Sequence, residues 1–149
     1  MKISLEEETE IDLFIEQYVL PKITATIHDA FDFLVDKNFT PEAVISELYA
    51  SAEIGELIAF AAKSNIYRVF REHASPTCQY GKMIGTIKAR KGTLSMEEVL
   101  ENLRNGNFNR KLSNAADLKY EELSEYYKKI DVSNLAVTHK LYNDLHRSK

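Results

Sequence analysis

Apolar residues recur at helical spacing along nearly the whole chain. Between Lys22 and Lys37, the residues Ile23, Ile27, Ala30, Phe31 and Leu34 fall at i, i+4, i+7, i+8 and i+11 and build one wide apolar stripe. Upstream, Leu5 to Leu20 sets Leu13, Tyr18 and Leu20 among acids and predicts a first helix, with Pro21 restarting the helix rather than continuing it. Thr40-Pro41-Glu42 is a helix start: an N-cap, a proline at the first position, and an acid at the positive end of the dipole. The helix that begins there is expected to run from Pro41 to about Asn65. Its apolar residues, among them Val44, Leu48, Tyr49, Leu57 and Ala61, lie on more than one face, which predicts a central position.

Residues Glu72 to Lys91 are more polar, and the segment HASPTCQYG predicts a break between helices. Ser95-Met96-Glu97-Glu98 is a capping box that opens a helix through Arg104, with Gly106 as its C-terminal cap. Two further helices are expected at about Lys119–Lys129 and Val132–Leu145. No strand-like alternation, internal repeat or dividing linker interrupts the pattern, so the reading is one all-α domain over residues 1–149.

Composition narrows the chemistry. Five glycines and three prolines in 149 residues are too few for a sandwich or barrel. No two glycines stand at G-x-G and no P-loop motif is present, so a dinucleotide or P-loop site is not expected in this chain. The net charge of −4 argues against nucleic acid as a partner. One cysteine, Cys78, excludes an internal disulfide and suits a reducing, cytoplasmic setting. The acidic start MKISLEEETEID does not read as a signal peptide, and no apolar run is long enough to span a bilayer, so no membrane association is expected.

Glu8, Asp12 and Glu16 recur every four residues and share a face of the first helix. Like charges at that spacing repel. Two readings stay open on the residues alone: a solvated face near a helix N-terminus, or hard oxygen donors at Asp12 and Glu16 that converge on a divalent cation such as Mg²⁺.

The stretch EETEIDLFIEQ, residues 7–17, resembles the E-E-T-E-T-D-L-F-G-E-Q segment of ketol-acid reductoisomerases. Three more blocks follow in the family's order. Phe39-Thr40-Pro41-Glu42 is similar to Y-x-P-E, with Glu47 five residues on. Ser75-Pro76-Thr77-Cys78-Gln79-Tyr80-Gly81 resembles S-N-T-A-E-Y-G. MEEVLENLRNGNFNR, residues 96–110, resembles M-x-x-V-L-x-x-I-x-S-G-x-F-A-R. The likeness spans about residues 6–112, and the tail over residues 115–149 matches poorly.

The resemblance implies the family's all-helical C-terminal domain, without the NADPH-binding Rossmann domain. It implies that Asp12, Glu16 and Glu47 hold Mg²⁺ or Mn²⁺, with Ser51 at the position of a lost fourth carboxylate ligand. It further implies that Ser75 contacts substrate with Cys78 beside it, and that Glu16 and Ser75 take part in catalysis. In short-form family members two helical domains intertwine, so Asp12 and Glu16 of one chain would meet Glu47 of a second copy in a homodimer. Ile15 stands where the family has glycine and adds bulk beside the carboxylates. Cys78 stands at the family's alanine and reads as a buried, inert thiol, His73 being the one nearby group considered able to activate it. His28 reads as a surface histidine, and His139 and His146 lie seven apart with no third zinc ligand evident.

Three functional readings follow. The first is a metal-dependent isomerase or lyase acting on a small 2-hydroxy-3-oxo acid, without hydride transfer and with no NAD(P)H held by this chain, in a specialised biosynthetic pathway. The second is a non-catalytic module that binds a small carboxylate or a protein. The third is one half of a split reductoisomerase completed by a separate nucleotide-binding chain.

Overall fold

The computed structural model describes residues 3–146, with side chains through residue 144. Among the described residues the secondary structure is helical throughout, with no strand. The chain divides into two compact units, Met1–Ala52 and Glu53–Lys149.

In the first unit, Ser4 caps α1 (Leu5–Phe14): its hydroxyl accepts from the Glu7 amide at 3.1 Å, and Glu6, Glu7 and Glu8 occupy the positive end of the dipole. A five-residue π-helical turn, Ile15–Val19, joins α1 to α2 (Leu20–Asp36). Pro21 therefore does not restart the helix as expected. A proline ring crowds the carbonyl four residues back and leaves one acceptor without a donor. Here the turn widens ahead of it, the Leu20 amide donating to the Ile15 carbonyl five residues back.

Thr40 is extended and Pro41 opens α3 (Pro41–Ile45) as predicted, although the Thr40 side chain makes no capping bond. The expected helix to Asn65 is not one helix. α3 passes into a second π-helical turn, Ser46–Ala50, which ends at Ser51 and at Ala52 in the left-handed region (φ 64°). The Ser51 amide donates to the Ser46 carbonyl at 3.0 Å and the Ala52 amide to the Tyr49 carbonyl at 3.0 Å, closing the turn. Apolar periodicity did not reveal this break, because Ser51 and Ala52 are not strong helix breakers.

The expected central position of that helix is also not seen within the unit. Val44 is the one buried apolar side chain among its described residues, while Leu5, Phe14, Leu20, Ile23 and Tyr49 are at least half exposed.

The second unit has a true core. It runs through α4 (Glu53–Ala61), α5 (Arg68–His73), α6 (Pro76–Arg90), α7 (Met96–Arg104), α8 (Asn107–Asp117), α9 (Glu121–Asp131) and α10 (Asn134–His146). Tyr80 and Met83 of α6 pack with Ala115 of α8 and with Leu123 and Tyr127 of α9, and Phe108 and Leu112 close the cluster. The Ser95 cap forms as expected, its hydroxyl accepting from the Glu98 amide, but the Glu98 carboxylate pairs with Lys88 instead of completing the box. Gly106 takes the left-handed conformation (φ 71°) that ends α7.

The sequence reading had no helix where α8 stands. Its asparagines masked a narrow stripe of Phe108, Leu112 and Ala115 at i, i+4 and i+7. α9 begins two residues later than expected, because Lys119 and Tyr120 are both left-handed. No helix among the described residues is long and apolar enough to cross a membrane.

Met83 is fully buried, so Met83→Ala is expected to cost about 2–5 kcal/mol in urea unfolding. Gly85 lies inside α6 with open space where a Cβ would stand, so Gly85→Ala is expected to gain about 0.5–1 kcal/mol. Equal effects from the two substitutions would contradict the packing described for α6.

Candidate functional site

The expected metal-binding carboxylates all lie in the first unit. Asp12 is in the last turn of α1. Glu16 and Glu47 are each the second residue of a π-helical turn. Such turns insert an extra residue into the helical register, re-aim the side chains around them and recur at functional sites. All three side chains are exposed.

Asp12 borders a groove with Ile3, Glu8 and Thr9, whereas Glu16 borders another with Pro21, Thr24 and His28. No three acid, histidine or cysteine side chains gather to hold a metal among the described residues. The hard oxygen donors suit Mg²⁺ chemically, although the described residues of one chain form no group of three such donors. Ser51 closes the π-helical turn that carries Glu47, so these two residues do not share a straight α-helical face. His28 is a surface residue whose Nδ1 lies 3.3 Å from Asp32. The side chain of His146 lies outside the described residues.

Ser75 lies in the second unit, at the corner between α5 and α6. The expected break in HASPTCQYG is only Ala74-Ser75, and Pro76 already begins α6. The Ser75 hydroxyl oxygen accepts from the Cys78 amide at 3.2 Å, so it caps the helix and keeps its own proton to donate. Cys78, in the first turn of α6, is exposed and not buried as expected, while Tyr80 two residues on takes the buried side of that turn. The His73 ring stacks on Phe60 at 4.7 Å.

Two residues that the sequence reading did not single out hold this corner. Gln79, where the family pattern has Glu, donates through Nε2 to the Ala74 carbonyl at 2.8 Å and accepts from the Tyr127 hydroxyl at 3.1 Å. Arg71 lies over the Tyr127 ring and pairs with Asp131 at 3.1 Å, which ties α5 to α9. A neutral amide can both donate and accept, so Gln79 spans a carbonyl and a phenol that a carboxylate could not. A cavity of about 1010 Å³, lined in part by Phe60, Arg68, Asp131 and Lys140, includes none of the expected site residues.

Lys82 was also missed. It stands four residues after Cys78, half-buried, with its ammonium over the rings of Phe70 and Tyr67. The signal was available in the sequence, since i and i+4 share a helix face.

Burial raises the Tyr127 hydroxyl above the ordinary tyrosine pKa, with the neighbouring Tyr126 adding to the rise and Arg71 opposing it. A raised folded value favours the neutral phenol. Its contribution to stability is therefore complete below pH ~10 and is lost as pH climbs through the folded value. Tyr127→Phe is expected to cost about 1 kcal/mol at neutral pH, from the lost hydrogen bond to Gln79, and to flatten the alkaline limb of stability against pH. An unchanged alkaline limb would show that this phenol is not linked to folding.

Comparison with known proteins agrees with the all-helical fold. The family described as "Ketol-acid reductoisomerase, C-terminal domain" matches residues 5–145. A protein named "Putative ketol-acid reductoisomerase 3" from Saccharolobus solfataricus is 35% identical over 86 residues, 57% of this chain and 26% of that protein. "Ketol-acid reductoisomerase (NADP(+))" of Leuconostoc mesenteroides subsp. cremoris is 30% identical over 114 residues, 74% of this chain and 32% of the relative. "Ketol-acid reductoisomerase (NADP(+)) 2" of Bifidobacterium longum is 29% identical over 131 residues, 85% of this chain and 37% of the relative. The chain thus spans between about a quarter and two-fifths of the length of these relatives. With its helical fold and the match over residues 5–145, the chain belongs to the ketol-acid reductoisomerase C-terminal domain family.

Proposed function

We propose that this chain is a homodimeric, cytoplasmic, metal-dependent helical domain. It acts on a small 2-hydroxy-3-oxo acid by isomerase or lyase chemistry, without a hydride transfer of its own. The observation that carries this reading is the placement of Glu16 and Glu47 at the same position of two π-helical turns, in a unit where one chain forms no three-donor group among the described residues.

Two copies would solve both problems of that unit. Asp12 and Glu16 of one protomer would meet Glu47 of its partner, and the apolar residues left exposed around them, such as Phe14, Leu20 and Tyr49, would be covered. A bound divalent cation supplies Lewis acidity to carbonyl and hydroxyl oxygens. The chain's own residues do the rest. Exposed carboxylates donate hard oxygens without first breaking ion pairs. The Ser75 hydroxyl, fixed by its capping bond, donates to the substrate. Ser51 contributes no charge, so the site holds its cation with three carboxylates.

The loss of charge at Ser51 and the bulk of Ile15 favour a second reading, in which the same site binds a small carboxylate without turnover. A separate nucleotide-binding chain would convert either version into a complete reductoisomerase.

Calorimetric titration with Mg²⁺ should show binding that Asp12→Ala and Glu47→Ala each abolish, and size-exclusion chromatography should give about twice the 17.1 kDa of one chain. A monomer, or no cation binding at millimolar Mg²⁺, would overturn the proposal. Acetolactate incubated with metal and followed by NMR without nicotinamide separates the two versions. Rearranged or cleaved product supports the enzyme, and unchanged acetolactate with intact cation binding supports the binding module.

A further inference from the structure

Cys78 and Lys82 stand at i and i+4 on one face of α6, and Ser75 is the residue that caps its N-terminus. Long helical side chains lean toward the helix N-terminus, which for Lys82 is the corner that Ser75 caps. The contacts agree. The Lys82 Nζ lies 4.0 Å from the centre of the Phe70 ring and 5.4 Å from that of Tyr67, both from the segment leading to that corner. The ammonium is thus held between the two arms of the corner and half-buried there.

Its partners are incomplete. The π faces attract a cation but offer no lone pair to its three donors. Among the described residues no carboxylate lies within 4.0 Å of it. Burial therefore moves its pKa down from the usual lysine value, and the Cys78 thiol, its titratable neighbour, opposes this. A partly desolvated ammonium without a counter-ion gains most from a small anion brought to it.

We propose that Lys82 is the carboxylate-recognising residue of this chain. Its ammonium takes the carboxylate of a small 2-hydroxy acid, while the Ser75 hydroxyl bonds the same ligand at the helix corner. The identity of the ligand rests on the function proposed above; the demand for an anion does not. Phe70 and Tyr67 fix where the charge sits, which makes Lys82 a discriminator of acids from neutral analogues.

The test uses the full chain in saturating Mg²⁺, titrated with 2-hydroxyisovalerate and with its neutral amide. The chain should prefer the acid. Lys82→Met should weaken the acid about tenfold, the loss of one charge-assisted hydrogen bond, and leave the amide within about twofold. Lys82→Arg, which keeps the charge, should stay within about threefold of the original. NMR of the Lys82 ε-methylene should show its pKa rising when the acid binds. The proposal is overturned if the unaltered chain does not distinguish acid from amide, if Lys82→Met keeps the distinction, or if Lys82→Arg loses as much as Lys82→Met. Cation binding is read separately with Asp12→Ala, so a failed metal site and a failed carboxylate site give different results.

Discussion

Ordering a polypeptide costs about 1–2 kcal/mol of backbone entropy per residue, and apolar burial is the main term that offsets it. The first 52 residues meet this constraint poorly. Ser4 caps their first helix, yet Val44 is the only apolar side chain buried among the described residues of the unit. Along the stripe Ile23 is half exposed, and Ile27, Phe31 and Leu34 are partly but not fully buried. Such a unit needs cover from outside itself, and in the proposed dimer that cover comes from a second copy. In that proposal the same requirement accounts for the acids. Carboxylates belonging to one site need not meet within one chain if the fold is completed by two.

The two π-helical turns link this constraint to chemistry. A π-helical turn sacrifices regular i to i+4 bonding and poor packing around it gives little in return, so such turns persist where they position something. Pro21 provides a local cause for the first turn. The second has no proline and closes instead on the left-handed Ala52, a conformation costing roughly 1–2 kcal/mol for a residue with a Cβ. Both place a glutamate at their second position. The second unit follows a different logic. A core of Tyr80, Met83, Leu123 and Tyr127 fixes α6, and the Gln79–Tyr127–Ala74 bonds fix the corner that presents Ser75.

Much of the fold was legible in the sequence. The starts at Thr40-Pro41 and at Ser95 and the stop at Gly106 are written in cap residues, whose preferences are local. The misses have physical causes. α8 hides behind asparagines because its apolar stripe is narrow. The Pro41 helix breaks at Ser51-Ala52 because a π-helical turn leaves no mark on apolar periodicity. Cys78 reads as buried and inert because only His73 lies near it in sequence to activate a thiol, and that reasoning about reactivity carries no information on which side of the helix faces solvent. Carboxylate spacing pointed to Asp12 and Glu16, and resemblance pointed to Glu47 and Ser75. Gln79, Tyr127 and Lys82 could not be found by resemblance alone, since their roles depend on contacts across α5, α6 and α9.

In the proposed dimer a complete metal site needs carboxylates from two chains, and subunit mixing tests this most directly. Asp12→Ala and Glu47→Ala chains each lack one side of every site. Unfolded together and refolded as a mixture, they form heterodimers in which one of the two symmetric sites is intact. Calorimetry should then recover about a quarter of the original Mg²⁺ sites, while each variant alone binds none. A mixture that binds no more Mg²⁺ than the separate variants would contradict a shared site, and so would either variant retaining full binding on its own.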